Sequence, residues 1–386
     1  MFDPFRFRIP SEVQFGNGVA RTLGDHVARL GVHAPFIVTD PGVRDAGIVD
    51  PLLQTLIDRG ITAQIYDQIS ANPRDHECVA GAEKAREFGA DLIVAIGGGS
   101  PIDAAKAIAG LVTNGGAVQD WLPPATFDRS PLPLIAIPTT AGTGSEVTRS
   151  SVISDEAHHV KVSLRDDQIA PRVALVDPTL TLSLPRSVTA ATGMDVLTHA
   201  VEAYTCKRAT PLSDMCAMTA MHLVRKHLIA AVRDGNDLDA REGMMLASLV
   251  AGMAFSNADV GAVHCLAESI GGFYDTPHGV ANAVFLPFVF AYNAEADPHR
   301  HAAVGAALGV DTSGMSEYEA TGEAGAEIKA LSATVGIPPF TQFNGVNPDD
   351  FDAIAQASVE NGSNPSNARE MGKEQYLEIL NQAWTD

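Results

Sequence analysis

The sequence predicts an α/β domain over residues 1–184 and an all-α domain over residues 185–386. Two patterns support this division. Short apolar runs alternate with helical patterns through the first half, and the alternation stops between Asp177 and Pro185. After Pro185 the chain is rich in Ala, Met and Leu and contains few strand-like runs. A length of 386 residues agrees with two or three domains, at about 150 residues per domain.

The first half is predicted to form a Rossmann-like, dinucleotide-binding sheet. Its pattern predicts strands at residues 35–40, 62–66, 91–96 and 134–137, and helices at residues 49–58, 77–88 and 100–112. Alternating strands and helices imply crossover connections and a parallel sheet. In such a sheet the ligand binds at the carboxyl ends of the strands.

Charge and cysteine content exclude several classes of partner. The chain has 26 basic and 47 acidic residues, a net charge of −21, which disfavours binding to nucleic acid or anionic membranes. The 4 cysteines show no C-x-x-C pairing and are typical of reduced thiols. The first residues lack the apolar stretch of a signal peptide, and no apolar run approaches the roughly 18 residues of a membrane span. We therefore expect a cytoplasmic protein.

Two glycine-bearing loops follow predicted strands. Gly97–Ser100 directly follows one strand and opens a helix, where free backbone amides favour an anion. A plain strand-to-helix turn is the alternative, but three consecutive glycines exceed what a turn needs. The second loop runs from Pro138 to Glu146, and its hydroxyls suit either a cofactor contact or a polar surface. Neither loop is a Walker A motif, because no Lys-Ser/Thr pair follows the glycines.

Asp40 stands at the end of a predicted strand. A carboxylate there can hydrogen-bond the 2′-hydroxyl of an adenine ribose and repel a 2′-phosphate. The alternative is an ordinary helix N-cap or turn residue, and spacing alone favours that alternative.

The second half contains a set of side chains typical of a metal site. Asp195 and His199 are four residues apart, so a helix places both on one face. His264 lies in a predicted helix, and His278 follows a Thr-Pro break that should begin another. One carboxylate and three imidazoles suit Fe(II), Zn(II), Mn(II) or Ni(II). Each histidine considered singly is more often a separate core or surface residue.

These motifs together resemble the iron-containing (group III) alcohol dehydrogenase family, whose members are related to glycerol dehydrogenase and dehydroquinate synthase. The matching segments cover almost the whole chain. They include Gly97-Gly98-Gly99-Ser100-x-x-Asp103-x-x-Lys106, Pro138-Thr139-Thr140-Ala141-Gly142-Thr143-Gly144-Ser145-Glu146, Gly193-Met194-Asp195-x-x-x-His199-Ala200-x-Glu202 and Pro277-His278-Gly279-x-x-Asn282.

The resemblance implies a dehydroquinate synthase-like fold and a homodimeric NAD(H) oxidoreductase that interconverts a small alcohol with its aldehyde or ketone. It implies that Fe(II), or Zn, Mn or Ni, binds to Asp195, His199, His264 and His278. It matches Asp40 to the position associated with preference for NAD over NADP. The cofactor-binding positions that it implies are Asp40, Asn72, Gly97, Gly98, Gly99, Ser100, Asp103, Thr139, Thr140, Thr143, Ser145 and Lys161.

The sequence departs from the family at Glu268. Many members have a second histidine one turn after the third ligand, and here that position is glutamate. Glu268 should share a helix face with His264 and approach the metal or the substrate. We interpret it as a catalytic residue that relays a proton or binds a polar or cationic group. A carboxylate that hydrogen-bonds the pocket wall is an equal alternative.

Three other functions are compatible with this scaffold. A lyase of the dehydroquinate synthase type uses NAD transiently and acts on a sugar phosphate. Such a substrate requires several basic residues in the cleft, and the helical half has few near the proposed ligands. A metal-independent, maleylacetate-type reductase and a non-catalytic binding protein are both disfavoured, because all four ligand positions carry good ligands.

Overall fold

The computed structural model describes residues 4–158 and 160–386 and divides the chain into two compact units. The first unit is Ile9–Ser183, and the second is Leu184–Asp386 together with residues 4–8. The first contains strands and helices, and the described residues of the second form helices without strands. The predicted order of an α/β fold followed by an all-helical fold is confirmed.

The α/β unit contains a parallel sheet of six strands and a separate antiparallel hairpin. The sheet order is β1-β8-β5-β4-β2-β3, and β6 pairs with β7. The strands are β1 (Glu12–Phe15), β2 (Pro35–Val38), β3 (Gln64–Tyr66), β4 (Leu92–Gly97), β5 (Leu134–Pro138), β6 (Ser150–Asp155), β7 (Val160–Arg165) and β8 (Val173–Val176). The four predicted strands correspond to β2, β3, β4 and β5, whereas β1, β6, β7 and β8 were not predicted.

Helices account for most of the remaining regular structure. Those of the α/β unit are α1 (Leu23–Leu30), α2 (Pro41–Asp45), α3 (Val49–Ile57), α4 (Asp75–Phe88) and α5 (Gly99–Asn114). Those of the helical unit are α6 (Arg186–Thr205), α7 (Pro211–Arg233), α8 (Leu238–Asn257), α9 (Ala262–Tyr274), α10 (His278–Asn293), α11 (Pro298–Ala307), α12 (Glu317–Val335), α13 (Phe351–Glu360) and α14 (Lys373–Thr385).

The sheet is buried on both faces, which explains why its central strands are almost entirely apolar. Successive strand residues point to opposite faces. Ile93 and Ala95 of β4 therefore join a core under α4 and α5, whereas Val94 and Ile96 join a second core under α1 and α3.

The parallel sheet brings several predicted cofactor residues to one edge. The strand order reverses between β2 and β4, and ligands of open α/β sheets bind at the carboxyl ends of the strands at such a reversal. Asp40 follows β2, Gly98 and Gly99 follow β4, and Thr139 follows β5. These three strands are neighbours in the sheet, so the loops after them share an edge.

The helical unit is organised around α6, which packs against α7, α8 and α10. Most of its side chains are buried, including the polar Asp195, Thr198, His199 and Glu202. Buried polar side chains need hydrogen-bond partners or a bound ion inside the protein. The buried polar side chains of α6 therefore mark it as the place to look for a functional site.

Among the described residues no single helix is long and apolar enough to span a membrane. One pair, Leu238–Asn257 with Ala262–Tyr274, meets the length and composition criteria jointly but is bent by 102°.

Candidate metal centre and cofactor-binding loops

Three helices of the helical unit supply the proposed metal ligands. Asp195 and His199 lie one turn apart on α6, as their spacing predicts. His264 lies in the first turn of α9, and His278 is the first residue of α10.

Close packing of α10 against α6 places His278 beside Asp195. Gly279 makes this approach feasible, because a Cβ atom there would lie 2.3 Å from the carbonyl oxygen of Ala191 on α6. The resulting distance from His278 Nε2 to Asp195 Oδ1 is 3.8 Å. Any side chain larger than glycine would push the start of α10 away from α6.

The four side chains form one cluster. One ligand atom from each of Asp195, His199, His264 and His278 lies within 4.8 Å of the others. Asp195, His199 and His264 are at most 5% exposed, and the His278 side chain is 26% exposed. The ring of Phe255 stacks on His199 with centroids 4.3 Å apart, so an apolar wall holds that imidazole in place.

Asn282, one turn after His278 on α10, places its side-chain amide nitrogen among the ligand atoms of the cluster. Its Nδ2 donates to Asp195 Oδ1 at 2.7 Å and lies 3.2 Å from His264 Nε2 and 3.1 Å from His278 Nε2. One electropositive group is thus within reach of three of the four proposed ligands. The same arrangement of acceptors suits a cation.

The charges of the cluster also fit a divalent cation. Burial would raise the pKa of Asp195, but the neighbouring imidazoles and the Asn282 amide lower it, so the group is held as a carboxylate. Burial would lower the pKa of His264, but the hydrogen bond that its ring donates to Glu202, together with the nearby carboxylate charges, outweighs burial and raises that pKa. Carboxylate and imidazole donors are the ligands that Fe(II), Zn(II), Mn(II) and Ni(II) accept. The residues present therefore fit the metal that the resemblance implies.

The two glycine-bearing loops of the α/β unit lie against each other. The amide of Thr139 donates to the carbonyl of Gly97 at 2.9 Å. A Cβ atom on Gly98 would lie 3.1 Å from the Thr140 side chain, and one on Gly99 would lie 2.6 Å from Thr143. The glycines thus allow the hydroxyls of one loop to approach the helix-opening amides of the other, which forms a polar cradle fit for a pyrophosphate.

Lys106 anchors the second loop from inside the core. It is fully buried, and its Nζ donates to Ser145 Oγ at 2.6 Å, Thr148 Oγ1 at 2.8 Å and the Ser150 carbonyl at 2.7 Å. Asp103 Oδ1 accepts from Ser145 Oγ at 2.5 Å and lies 3.4 Å from Lys106 Nζ. The structure therefore joins Asp103 and Ser145 in one buried network, and their contact with a cofactor stays a prediction.

A buried glutamate lies next to this network. Burial raises the pKa of Glu146 to about 7, although the positive charge of Lys106 opposes the shift. The positive charge of Lys106 thus offsets part of the cost of burying Glu146 in its ionised form.

Three further predicted cofactor residues are linked by hydrogen bonds. The backbone N–H of Asn72 donates to Ser100 Oγ at 3.2 Å, and Lys161 Nζ donates to the side-chain oxygen Asn72 Oδ1 at 2.8 Å. Lys161 lies on β7 of the hairpin, so the hairpin reaches the start of α5 through Asn72. The backbone of Asn72 has a φ of 58°, a conformation that asparagine tolerates better than most residues.

Asp40 has the local role that its spacing favoured. Its Oδ1 accepts from the Val43 amide at 2.9 Å and caps α2, and β2 ends two residues before it at Val38. Burial raises the pKa of Asp40, and hydrogen bonds from Val43 and Gly42 partly oppose this. The capping role does not test contact with a cofactor, so preference for NAD stays a prediction.

Glu268 lies one turn after His264, as predicted, but is outside the cluster of four ligands. Its Oε2 accepts from Asn361 Nδ2 at 2.6 Å, which is the wall contact that the sequence left as the alternative. It also adds a negative charge near His264. Whether it relays a proton stays a prediction.

Sequence reasoning missed the supporting roles of Glu202, Asn282 and Lys106. Spacing held a partial signal, since Glu202 is three residues after His199 and Asn282 is four after His278. The partners of Lys106 lie about 40 residues away in the chain, and no local pattern indicates them.

Comparison with known proteins agrees with this geometry. Residues 10–178 match the family model described as iron-containing alcohol dehydrogenase. Residues 189–384 match the model of the C-terminal part of the Fe-containing alcohol dehydrogenase family. The two matches cover both units of the chain.

Curated and solved relatives span the whole chain. The 1,3-propanediol dehydrogenase of Citrobacter freundii is 40% identical over 98% of this chain and 99% of its own length. A solved 1,3-propanediol oxidoreductase superposes with a TM-score of 0.96 at 40% identity, covering 99% of this chain and 100% of the other. Sulfoacetaldehyde reductase from Bifidobacterium kashiwanohense, solved with NAD+, has a TM-score of 0.89 at 29% identity and covers 100% of both chains. On these grounds the chain belongs to the iron-containing alcohol dehydrogenase family.

Proposed function

We propose that this chain is a metal-dependent NAD(H) oxidoreductase that interconverts a small primary or secondary alcohol with its aldehyde or ketone. The observation that carries the proposal is the convergence of Asp195, His199, His264 and His278 within 4.8 Å, in a chain of this family. The unit Ile9–Ser183 then serves as the dinucleotide-binding domain, and Leu184–Asp386 serves as the metal-binding and catalytic domain.

The helical unit holds the metal and orients it. Asp195 supplies the one negative charge among the proposed ligands, so a bound divalent ion keeps a net positive charge. When bound, the metal supplies a Lewis acid for the alcohol or carbonyl oxygen, and nicotinamide supplies or accepts the hydride. Fe(II) is the metal proposed for this site, with Zn, Mn and Ni as alternatives that suit the same donors.

The α/β unit binds the dinucleotide. The backbone amides at the start of α5, at and after Gly99, hold the pyrophosphate, because free amides at a helix start attract an anion. Thr140 and Thr143 lie against these glycines and offer hydroxyl groups to the same ligand. Lys161 and Asn72 extend the polar surface beside Ser100.

The charge of Asp40 is expected to set the cofactor preference. We expect Asp40→Asn to raise the ratio of kcat/KM with NADPH to that with NADH by about tenfold, because it removes the charge that repels a 2′-phosphate. Asparagine is as good an N-cap as aspartate, so α2 should keep its start. The ratio is measured with one aldehyde and both reduced cofactors.

Asp40→Ala is the matched control, because it removes both the charge and the cap. It should change the cofactor ratio as Asp40→Asn does and in addition lower the melting temperature. A parent-like ratio in both variants would show that Asp40 only caps α2.

The carboxylate of Glu268 is expected to affect the rate and its pH dependence. Glu268→Gln keeps an oxygen for the hydrogen bond from Asn361 but cannot carry a proton. If the carboxylate relays protons, kcat at neutral pH should fall by roughly 10²-fold, and one ionisation should vanish from the pH profile. Steady-state rates across the pH range measure both effects.

Asn361→Leu is the control for Glu268, because it removes the hydrogen bond and keeps the carboxylate. Its effect on kcat should be smaller than that of Glu268→Gln. A Glu268→Gln enzyme with the rate and pH profile of the parent would exclude the relay role.

The proposed activity is tested anaerobically with protein reconstituted with Fe(II). Loss of NADH is followed with short aldehydes that carry neutral, anionic or cationic tails, and the panel is repeated with NADPH. We expect metal-dependent turnover that prefers NADH. Bound metal and bound NAD without oxidation of cofactor by any aldehyde would instead favour a lyase of the dehydroquinate synthase type.

We further propose a homodimer in the cytoplasm. Two-fold homodimers are the commonest assemblies among oligomeric enzymes, and the cysteines of the chain are all unpaired thiols. Sedimentation should give twice the chain mass of 40.5 kDa.

A further inference from the structure

Glu202 lies on α6 one turn beyond His199 and is 4% exposed. Its two carboxylate oxygens have different partners. Oε2 lies 2.5 Å from Nδ1 of His264, and Oε1 accepts from the backbone amide of Val263 at 2.7 Å. One carboxylate thus contacts both the ring of a proposed metal ligand and the first turn of the helix that carries it.

These two contacts determine which nitrogen of His264 is free. A carboxylate accepts hydrogen bonds and has no hydrogen to give, so the hydrogen of the neutral ring lies on Nδ1. The electron pair is then on Nε2, the nitrogen that lies 3.2 Å from Asn282 in the cluster. The second oxygen, bonded to Val263, prevents the carboxylate from turning away without losing a helix-end amide.

A glycine before α9 leaves room for the Glu202 carboxylate. A Cβ atom on Gly261, the residue before α9, would lie 3.0 Å from Glu202 Oε1 and 2.8 Å from Asn367 Oδ1. The Asn367 oxygen also accepts from the amide of Ala262. The start of α9 is therefore held by two polar side chains, and only the one from α6 also reaches a proposed metal ligand.

We propose that Glu202 is a positioning residue of the metal centre, which fixes the tautomer and orientation of His264 and thereby strengthens metal binding. The proposal rests on the proposed metal site. Loss of a carboxylate that accepts a hydrogen bond from the second ring nitrogen of a ligating histidine typically weakens metal binding by about 10- to 100-fold.

The test compares metal affinity in Glu202→Gln and in a matched control. Asp259 is also a buried carboxylate close before α9, but it accepts from Ser363, Ser366 and the Val260 amide. Zn(II) affinity of the metal-free parent, Glu202→Gln and Asp259→Asn is measured by competition with a chromophoric chelator. We expect Glu202→Gln to bind Zn(II) about 10- to 100-fold more weakly, and Asp259→Asn to stay within about threefold of the parent.

A second readout needs no metal and no activity. In metal-free protein with ¹⁵N-labelled histidine, the parent should show His264 with its hydrogen on Nδ1, and Glu202→Gln should lose this preference. If Glu202→Gln folds poorly, Glu202→Asp keeps the charge but is one methylene shorter, and it should also weaken Zn(II) binding. The parent spectrum alone already tests the tautomer.

Three results would overturn the proposal, and they distinguish failure of the role of Glu202 from failure of the metal site. Parent-like Zn(II) affinity in Glu202→Gln, or an Nε2-protonated His264 in the parent, would refute the role of Glu202 and leave the metal site intact. A parent protein that binds no metal would refute the metal site and the role of Glu202 together.

Discussion

Asp195→Ala and His264→Ala are each expected to lose the metal and to lower kcat/KM by about 10³-fold or more while the helical unit stays folded. A Lewis acid contributes several kcal/mol to transition-state stabilisation, and each ~1.4 kcal/mol corresponds to a factor of ten. Both side chains lie in the cluster of four, so removing either leaves three ligands. Metal content is measured by elemental analysis, activity by NADH-linked turnover and folding by circular dichroism.

The control for these variants is His222→Ala. His222 lies on α7, is exposed, and is outside the cluster. It should keep the metal content and the rate of the parent. An Asp195→Ala or His264→Ala enzyme that turned over at the parent rate without bound metal would remove the basis of the proposed chemistry.

Lys106→Met has the largest effect expected on stability. The variant leaves the buried Glu146 and the largely buried Asp103 without their neighbouring cation. It also removes the hydrogen bonds from Lys106 to Ser145, Thr148 and the Ser150 carbonyl. Removing one partner of a buried charge pair typically costs about 3–5 kcal/mol. For a domain of this size that corresponds to a fall of roughly 10 °C in melting temperature.

The same variant should also weaken cofactor binding. Ser145 and Thr148 lose their common donor, so the loop from Thr139 to Ser145 is held less firmly against α5, where the hydrogen bond from Ser145 to Asp103 remains. We expect a raised dissociation constant for NAD, measured by titration below the new melting temperature. Burial lowers the pKa of Lys106, and the neighbouring Asp103 carboxylate opposes this shift without cancelling it. Methionine has neither a charge nor a hydrogen-bond donor, so the variant removes the charge and the contacts together.

Lys84→Met is the matched control for Lys106→Met. Lys84 lies on the neighbouring helix α4 and donates to Gln68 in an exposed contact. Exposed pairs contribute little, so its melting temperature should stay within about 2 °C of the parent. Equal effects of the two substitutions would show that the buried network does not stabilise the unit.

The central strands were predictable from sequence because burial on both faces leaves a continuous apolar run, as in β4 (Leu92–Gly97). The edge strand β1 (Glu12–Phe15) is partly exposed and carries no such run. Its partner β8 (Val173–Val176) is about 160 residues away, so their parallel pairing has no local signal. The hairpin β6–β7 was missed because partly exposed residues interrupt its apolar ones.

In the candidate site, too, contacts between residues far apart in the chain could not be predicted from local sequence patterns. Helical spacing predicts that Asp195 and His199 share a face, since the geometry of one helix decides it. Convergence of His264 and His278 on that face depends on how α9 and α10 pack against α6, which spacing does not encode. The family resemblance supplied that information. Glu202 and Asn282 were missed because a supporting role becomes visible only when the partner atoms are in place.

The most direct test of the proposed metal-dependent chemistry is an anaerobic titration of metal-free protein with Fe(II). NADH-linked aldehyde reduction and bound iron are measured on the same samples. The described residues hold one cluster of four ligands, which predicts negligible activity without metal, a linear rise with bound iron, and saturation near one iron per chain. Undiminished activity in protein that elemental analysis shows to be free of metal would contradict it.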